Sequence, residues 1–503
     1  MKPRRSLAFA SVLAVLLALV ALGAIAYARQ LAMGDIVTSM RTVGAGGAVW
    51  GLYVVMDGLF LSAGIAVMAS ACVARFSRDR EMEVVARIAM PAALTCVLAA
   101  ALSVMADQGR PLAALEHLAW VARPESPLFW TFTSVGAVGL FGSLVYCVMA
   151  RRPDLAAYAK QTSFWQPLQR LLAAGYRGSE GERRRRQKSG FWMSMLMLFL
   201  LAVPLCALAA IFALRPARPL DLVVGEIVAF VFSSGAAGLG VLAIAAALVG
   251  WLAGPRAGLG TGGFGRLGRG LLFFDAFTLL CGIAVEIAGL EAAEPAALAF
   301  AKAQVAGAYG AWFWGGTGLL MLACFVLWRG AWRTGLRPRT VVFAGALSVA
   351  AVFLQRYVLL VAWQTHGLSL PYPPGSYSPS GIELSVSAGI VALSLLLLLP
   401  AARLIPFAPV VYDDRSVVAG RTDLRRALVV ASWLALGLAA TASGLILSWR
   451  GGTQSFLDPL LPASPVLFIA GLCVLTTAGA VYELLPERAA DTSLSPPPPS
   501  LGA

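Results

Sequence analysis

Histidine is nearly absent from this chain, with 2 in 503 residues, His117 and His366. A haem b held by two histidines would use both, and a two-haem cytochrome would need four. Cysteine is present but scattered. The 7 cysteines form no CxxC pair and all fall within apolar runs. Neither an iron–sulfur cluster nor a zinc site is expected within the chain. Charge is scarce as well: Asp, Glu, Lys and Arg make up 13% of residues, about half the usual share of about 25% for a soluble domain. That excludes a disordered chain and argues against an ordinary soluble enzyme.

Apolar residues dominate instead, at 59%, with a mean hydropathy of +0.79. They are gathered into runs of about 20 that carry few or no charges, which is the pattern of a helix crossing a bilayer. A spanning barrel would alternate. The fold class expected is all-α, a polytopic membrane protein of about 12 transmembrane helices. The runs lie at roughly 7–28, 46–74, 85–106, 127–150, 191–214, 222–253, 270–290, 307–328, 340–362, 382–402, 427–448 and 464–483. The first follows Met-Lys-Pro-Arg-Arg. Its apolar stretch is long for a signal peptide, and we read it as a retained helix.

Placing the N-terminus in the cytoplasm puts 30 Lys and Arg on that side against 8 outside, with Arg356 inside a span. Such a split sets the orientation. It also explains the net charge of +14 as topology, with no nucleic-acid partner implied. The run Arg183–Arg186 reads as a stop-transfer and headgroup feature on the lipid bilayer. The expected location is a bacterial inner (cytoplasmic) membrane with both termini cytoplasmic. The outer segments 107–126 and 363–381 are rich in Trp, Tyr, Pro and Gly. They suit either docking against another protein or an aromatic belt at the headgroups. The tail 489–503, with Pro496–Pro499, reads as disordered.

A charged residue inside a span is costly and is either paired or functional. In the second span Trp50, Tyr53 and Asp57 are spaced three and four, and Gly64 continues the same helix face. An indole, a phenol and a carboxylate beside a small-residue gap are partners that a quinone headgroup needs. The alternative is a helix contact with Asp57 bonded to a neighbour. In the seventh span Asp275, Thr278, Gly282 and Glu286 form a stripe about 16 Å long. The ninth span adds Arg356, for which Glu286 is the expected partner, with Gln364 on nearly the same face. Glu226 and Glu383 open the sixth and tenth spans near the outer surface. This set is open to two readings, structural ion pairing or a proton path through Asp275, Thr278, Glu286 and Arg356.

Several segments in order resemble one family. They are WGLYVVMDGLFLSAG (50–64), MADQGRPL (105–112), SPLFWTFTSVGAVG (126–139), VFSSGAAGLG (231–240), LQRYVLLVAWQ (354–364) and YSPSGIELSVSAG (377–389). Together they look like the NrfD-like family, the membrane subunit of polysulfide reductase and related respiratory complexes, over roughly 40–405. Gln108 stands where the family's Asp-Leu-Gly-Arg-Pro loop usually has Leu.

The resemblance implies two four-helix bundles plus flanking helices. The expected division is 1–45 an N-terminal helix and outer loop, 46–214 a first bundle, 215–363 a second, 364–405 an outer loop and tenth span, 406–488 an added hairpin, and 489–503 the tail. The family exchanges electrons with a quinone pool, menaquinone or ubiquinone, without a redox cofactor of its own. The implied partners are an iron–sulfur subunit and a molybdopterin, hydrogenase or multihaem cytochrome subunit on the periplasmic side. Carried onto this sequence, the implied site comprises Asp57 and His117 as proton-transferring groups, with Trp50, Tyr53, Asp107, Arg110 and Trp130 as walls or donors. A twelve-helix secondary transporter and a passive membrane anchor are the alternatives. The long basic loop at 151–190 separates spans four and five, which favours a four-plus-four division over the six-plus-six of such carriers.

Overall fold

The computed structural model describes residues 3–41, 47–77, 79–109, 127–160, 164–213, 219–253, 258–333, 335–366, 375–404, 424–449 and 464–485. Among these there is no β-strand. The chain forms α1 (Pro3–Met33), α2 (Leu52–Phe76), α3 (Arg80–Asp107), α4 (Pro127–Ser134), α5 (Ser143–Tyr158), α6 (Gln166–Ala173), α7 (Glu180–Ala213), α8 (Leu220–Ala253), α9 (Thr261–Leu290), α10 (Pro295–Val305), α11 (Gly310–Arg333), α12 (Pro338–Thr365), α13 (Gly381–Leu404), α14 (Leu424–Trp449) and α15 (Ser464–Leu484). A π-helical stretch, Val135–Gly142, joins α4 to α5 as one continuous span. Eleven helical segments among the described residues are long and apolar enough to cross a membrane, and α13 supplies a further, shorter apolar stretch, Gly381–Leu397. The protein is an all-α, multi-pass membrane protein.

Successive spans run in opposite directions, so the helix ends fall into two sets. One set, the basic end, includes the turn from α2 to α3 and the short helix α6. The opposite end holds 34–41, 47–51, the C-terminus of α3, and 375–380.

Small residues set the packing. Hydrocarbon gives no hydrophobic drive for helices to associate, so close backbone approach has to supply the contact energy. A Cβ on Gly238 of α8 would stand 2.6 Å from the Cβ of Ala66 and 3.0 Å from the carbonyl of Ala63 on α2. One on Gly240 would stand 2.6 Å from the carbonyl of Gly345 on α12. The SAG and SSGAAGLG runs are therefore the seam along which α2, α8 and α12 meet. Helix α1 joins α13 in the same way, with Gly23 against Gly389.

The final hairpin is unequal. Helix α14 leans on α15, where Trp433 Nε1 donates to the Val474 carbonyl at 2.9 Å. Helix α15 packs against α4, α5, α7 and the π-helical stretch. A Cβ on Gly142 of the π-helical stretch would meet Thr476 Cγ2 at 2.7 Å. At the basic end, Arg152 Nη1 of α5 pairs with Glu483 Oε1 at 2.6 Å, both side chains being nearly fully buried. Ser189 of α7 donates to the other oxygen of Glu483 at 2.9 Å.

Candidate functional site

Polar residues from several helices gather at the end opposite the basic one, around the start of α2. The first N–H groups of a helix have no partner within it, and here they are met from elsewhere in the chain. The backbone N–H groups of Val49 and Trp50 both donate to Gln364 Oε1 at 2.9 Å. Gln364 Nε2 donates back to the Trp50 carbonyl at 2.9 Å. The Leu52 N–H donates to the Tyr377 hydroxyl at 2.7 Å, and that hydroxyl donates to Glu383 Oε1. Glu383 Oε2 accepts from the backbone of Ser39 and of Ser380, each at 2.9 Å. Burial, and then the Glu383 carboxylate, hold the Tyr377 phenol above its ordinary pKa, so it remains a proton donor. Gly51 is required at this point. A Cβ there would lie 2.7 Å from Tyr377 Cζ and 3.0 Å from Glu383 Oε1.

Beneath this clasp, Tyr53 is fully buried and donates to Gln30 Oε1 of α1 at 2.8 Å. Gln30 Nε2 donates in turn to Asp35 Oδ1 at 2.8 Å and to the Ala106 carbonyl at 3.0 Å. Asp57 lies one turn deeper than Tyr53 on α2. It is half-buried, makes no hydrogen bond with any described residue, and is within electrostatic reach of Asp107. Asp107 in turn is within reach of Asp35 and Glu383, and its Oδ1 is buried without a partner. Four carboxyls therefore share this end, and two of them have oxygens free to take part in proton exchange. Beside Asp57, Met56 opens onto an apolar groove of about 370 Å³, lined also by Leu16, Leu19, Leu52, Phe353 and Leu384.

The structure thus brings Trp50, Tyr53, Asp57 and Asp107 to one end of one bundle. Arg110 and His117 lie outside the described residues. Trp130 points elsewhere, its ring edge-on to Phe468 of α15 with centroids 5.4 Å apart. Gln30, Asp35 and Tyr377 were not singled out from sequence. Gln30 falls beyond the apolar run of the first span, and only the longer helix observed, reaching Met33, turns it inward.

Helices α9 and α12 hold a separate polar column. Asp275 is fully buried, with Ser348 of α12 donating to its Oδ2 at 2.9 Å and its Oδ1 left unpartnered. Thr278 donates to the Phe274 carbonyl of its own helix at 2.7 Å. The stripe then rises toward the surface, since Gly282 and Glu286 are only half-buried.

The expected pairing of Arg356 with Glu286 is not what holds Arg356. Its Nη2 donates to Ser233 Oγ at 2.8 Å, to the Phe230 carbonyl at 3.2 Å and to Ser234 Oγ at 3.3 Å. Its guanidinium lies 3.3 Å from the centroid of the Phe230 ring. Depth is the reason. Arg356 is nine residues, about 14 Å, from the end of α12 at Thr365, whereas Glu286 is four residues, about 6 Å, from the end of α9 at Leu290.

Two comparisons bear on this arrangement. The model of the family described as polysulphide reductase, NrfD matches residues 42–366. The chain is also 28% identical over 435 residues to a putative dimethyl sulfoxide reductase membrane subunit of Halobacterium salinarum. That alignment covers 78% of this chain and 90% of the relative.

Proposed function

The chain belongs to the polysulphide reductase NrfD family, and from that premise we propose that it is the quinone-linked membrane subunit of a respiratory oxidoreductase complex. The similarity to a protein described as a dimethyl sulfoxide reductase membrane subunit supports the assignment to such a complex. In this reading the basic end faces the cytoplasm, following the Lys and Arg partition. The opposite end faces an iron–sulfur subunit, with a molybdopterin, hydrogenase or multihaem partner behind it.

The observation that carries the quinone reading is the pair Asp57 and Asp107. Asp107 Oδ1 is buried without a partner, Asp57 makes no hydrogen bond with any described residue, and Met56, the residue before Asp57 on α2, lines an apolar groove. The groove suits an isoprenoid tail, and the carboxyls suit the hydroxyls of the headgroup. Oxidation of a quinol sends two electrons to the partner's metal centre and releases two protons. Asp57 and Asp107 accept those protons, and Arg110 and His117 follow Asp107 in the sequence. In the reverse direction the same carboxyls deliver protons to a quinone. Tyr53 acts behind them, its hydroxyl committed to Gln30, so it shapes the floor of the site.

The test is quinol-dependent turnover in the assembled complex. Asp57→Asn and Asp107→Asn should each lower it by about a hundredfold, the lower range for loss of a positioned acid–base group, with complex assembly intact. Wild-type turnover in both variants would leave the chain as a passive anchor and refute the quinone site.

A specific observation favours proton movement through the second bundle as well. Asp275 Oδ1 and Arg356 Nε are buried and unpartnered. Internal waters bridging these polar atoms would give a proton a route from the basic half of α9 toward the centre of the bundle.

A further inference from the structure

The groove between α1, α2, α12 and α13 encloses about 370 Å³, within the range of small-molecule sites, about 300–1,000 Å³. Leu19 of α1, Leu52 and Met56 of α2, Phe353 of α12 and Leu384 of α13 are among its walls. Leu384 is 55% exposed, so the groove is reached from the outside of the helix bundle. Among the described residues that line it, Ser387 alone is polar.

That serine is in an uncommon state for a spanning helix. A serine there ordinarily donates to the carbonyl four residues back. Ser385 does so to Gly381 at 2.7 Å, and Ser103 to Ala99 at 2.9 Å. Ser387 does not. It is 5% exposed, and its Oγ is buried with no hydrogen-bond partner among the described residues. A buried hydroxyl left unpaired is unfavourable, and an acceptor carried in by a ligand removes that cost.

The walls decide what kind of ligand fits. None of the lining residues is charged. Ser387 stands six residues, about 9 Å, along α13 from Gly381. A phosphodiester drawn to that depth would lose its water without gaining a cation. A plain hydrocarbon chain would leave the hydroxyl unpaired. A neutral ring with a carbonyl acceptor and a long apolar tail satisfies both the walls and the hydroxyl.

We propose that the groove is a second station for the quinone, in which Ser387 Oγ donates to a ring carbonyl. The inference rests on the quinone reading above and adds where the oxidised form is held. At Asp57 and Asp107 a quinol offers two hydroxyl donors to the carboxylates. Once oxidised, the ring has only acceptors, and Ser387 supplies the donor that carboxylates lack. Met56 lines the groove and precedes Asp57 in sequence, so the two positions share α2.

Infrared spectra of the full chain in detergent test this, after removal of native quinone and loading with decylubiquinone labelled with carbon-13 at its ring carbonyls. The wild type should show a carbonyl stretch below that of the quinone in empty micelles. Ser387→Ala should remove the lowered band and weaken binding roughly threefold to tenfold, the worth of one neutral hydrogen bond. Ser387→Thr should keep the band, and Ala388→Leu, which fills the groove, should abolish it. An unchanged band and affinity in Ser387→Ala overturns the proposal. So does a copurifying phospholipid that Ala388→Leu releases and decylubiquinone does not displace. The double variant Asp57→Asn with Asp107→Asn should keep the band, since those carboxyls belong to the reacting position. Loss of the band there, with persistence in Ser387→Ala, would put the bound quinone at the carboxyls and overturn this proposal alone. Wild-type turnover of the double variant together with a Ser387-dependent band refutes the acid–base reading and leaves the groove site standing. A wild type that binds no quinone sinks both.

Discussion

Glu483→Ala should destabilise the whole first bundle, although Glu483 lies in the last turn of the last described helix. Its carboxylate pairs with Arg152 at 2.6 Å, and the side chains are 3% and 4% exposed. Truncation leaves the Arg152 guanidinium buried without an anionic partner, held by the carbonyls of Ala173 at 3.2 Å and Ala174 at 3.1 Å and by the Tyr176 ring, whose centroid is 5.5 Å away. An uncompensated buried charge costs about 3–5 kcal/mol, and the acceptor lost to Ser189 adds about 1 kcal/mol. A chain unfolded within a micelle still finds polar partners, which pulls the result toward the lower end, about 3 kcal/mol. Replacing both members by apolar residues of similar volume removes the charge together with its penalty. Arg152→Met with Glu483→Leu should therefore fall within about 1 kcal/mol of wild type. The assay is equilibrium unfolding of the detergent-solubilised chain, run as a double-mutant cycle. A coupling of at least about 2 kcal/mol is expected. Single-variant losses below about 1 kcal/mol, adding without coupling, would refute the reasoning and make the hairpin a peripheral attachment.

Gly51→Ala should cost about 2–4 kcal/mol, because the new methyl displaces the Tyr377 hydroxyl from the Leu52 N–H and from Glu383, losing one neutral and one charge-assisted bond. Stability within about 0.5 kcal/mol of wild type, the range of an inconsequential surface change, would show that the clasp is not needed. Arg356→Met should leave stability unchanged or raised. The guanidinium is held by neutral acceptors, and Ser233 and Ser234 already donate to the Phe230 carbonyl themselves, at 2.9 and 2.6 Å. A loss above about 2 kcal/mol in equilibrium unfolding would mean that Arg356 is a structural tie. In proteoliposomes of the assembled complex, Asp275→Asn should keep quinol oxidation within about twofold and reduce charge translocation, since the carboxyl is remote from Asp57 yet lies on the proposed relay. An unchanged proton-to-electron ratio would end that reading.

Composition and periodicity alone determined the class of this protein. A helix that crosses hydrocarbon has to satisfy its backbone internally and present apolar side chains over about 20 residues, so the spans are legible one at a time and the twelve runs expected correspond to the long helices observed. The shared face of Trp50, Tyr53 and Asp57 was legible for the same reason, because helical spacing is a local property.

Only the tertiary structure decided which groups meet. Helix depth and rotation separate Arg356 from Glu286 and give it Ser233 and Ser234 instead, a choice made by the close approach of α8 and α12 at Gly240 and Gly345. Gln364 and Glu383 were visible as polar residues at span ends, but nothing in their neighbours in sequence says that they hold the start of α2, more than 300 residues away. The last hairpin is the plainest case. Its apolar runs identify two helices, yet its place against the π-helical stretch of the fourth span rests on Gly142, Thr476, Arg152 and Glu483 coming together, and hydropathy does not encode which helix packs against which.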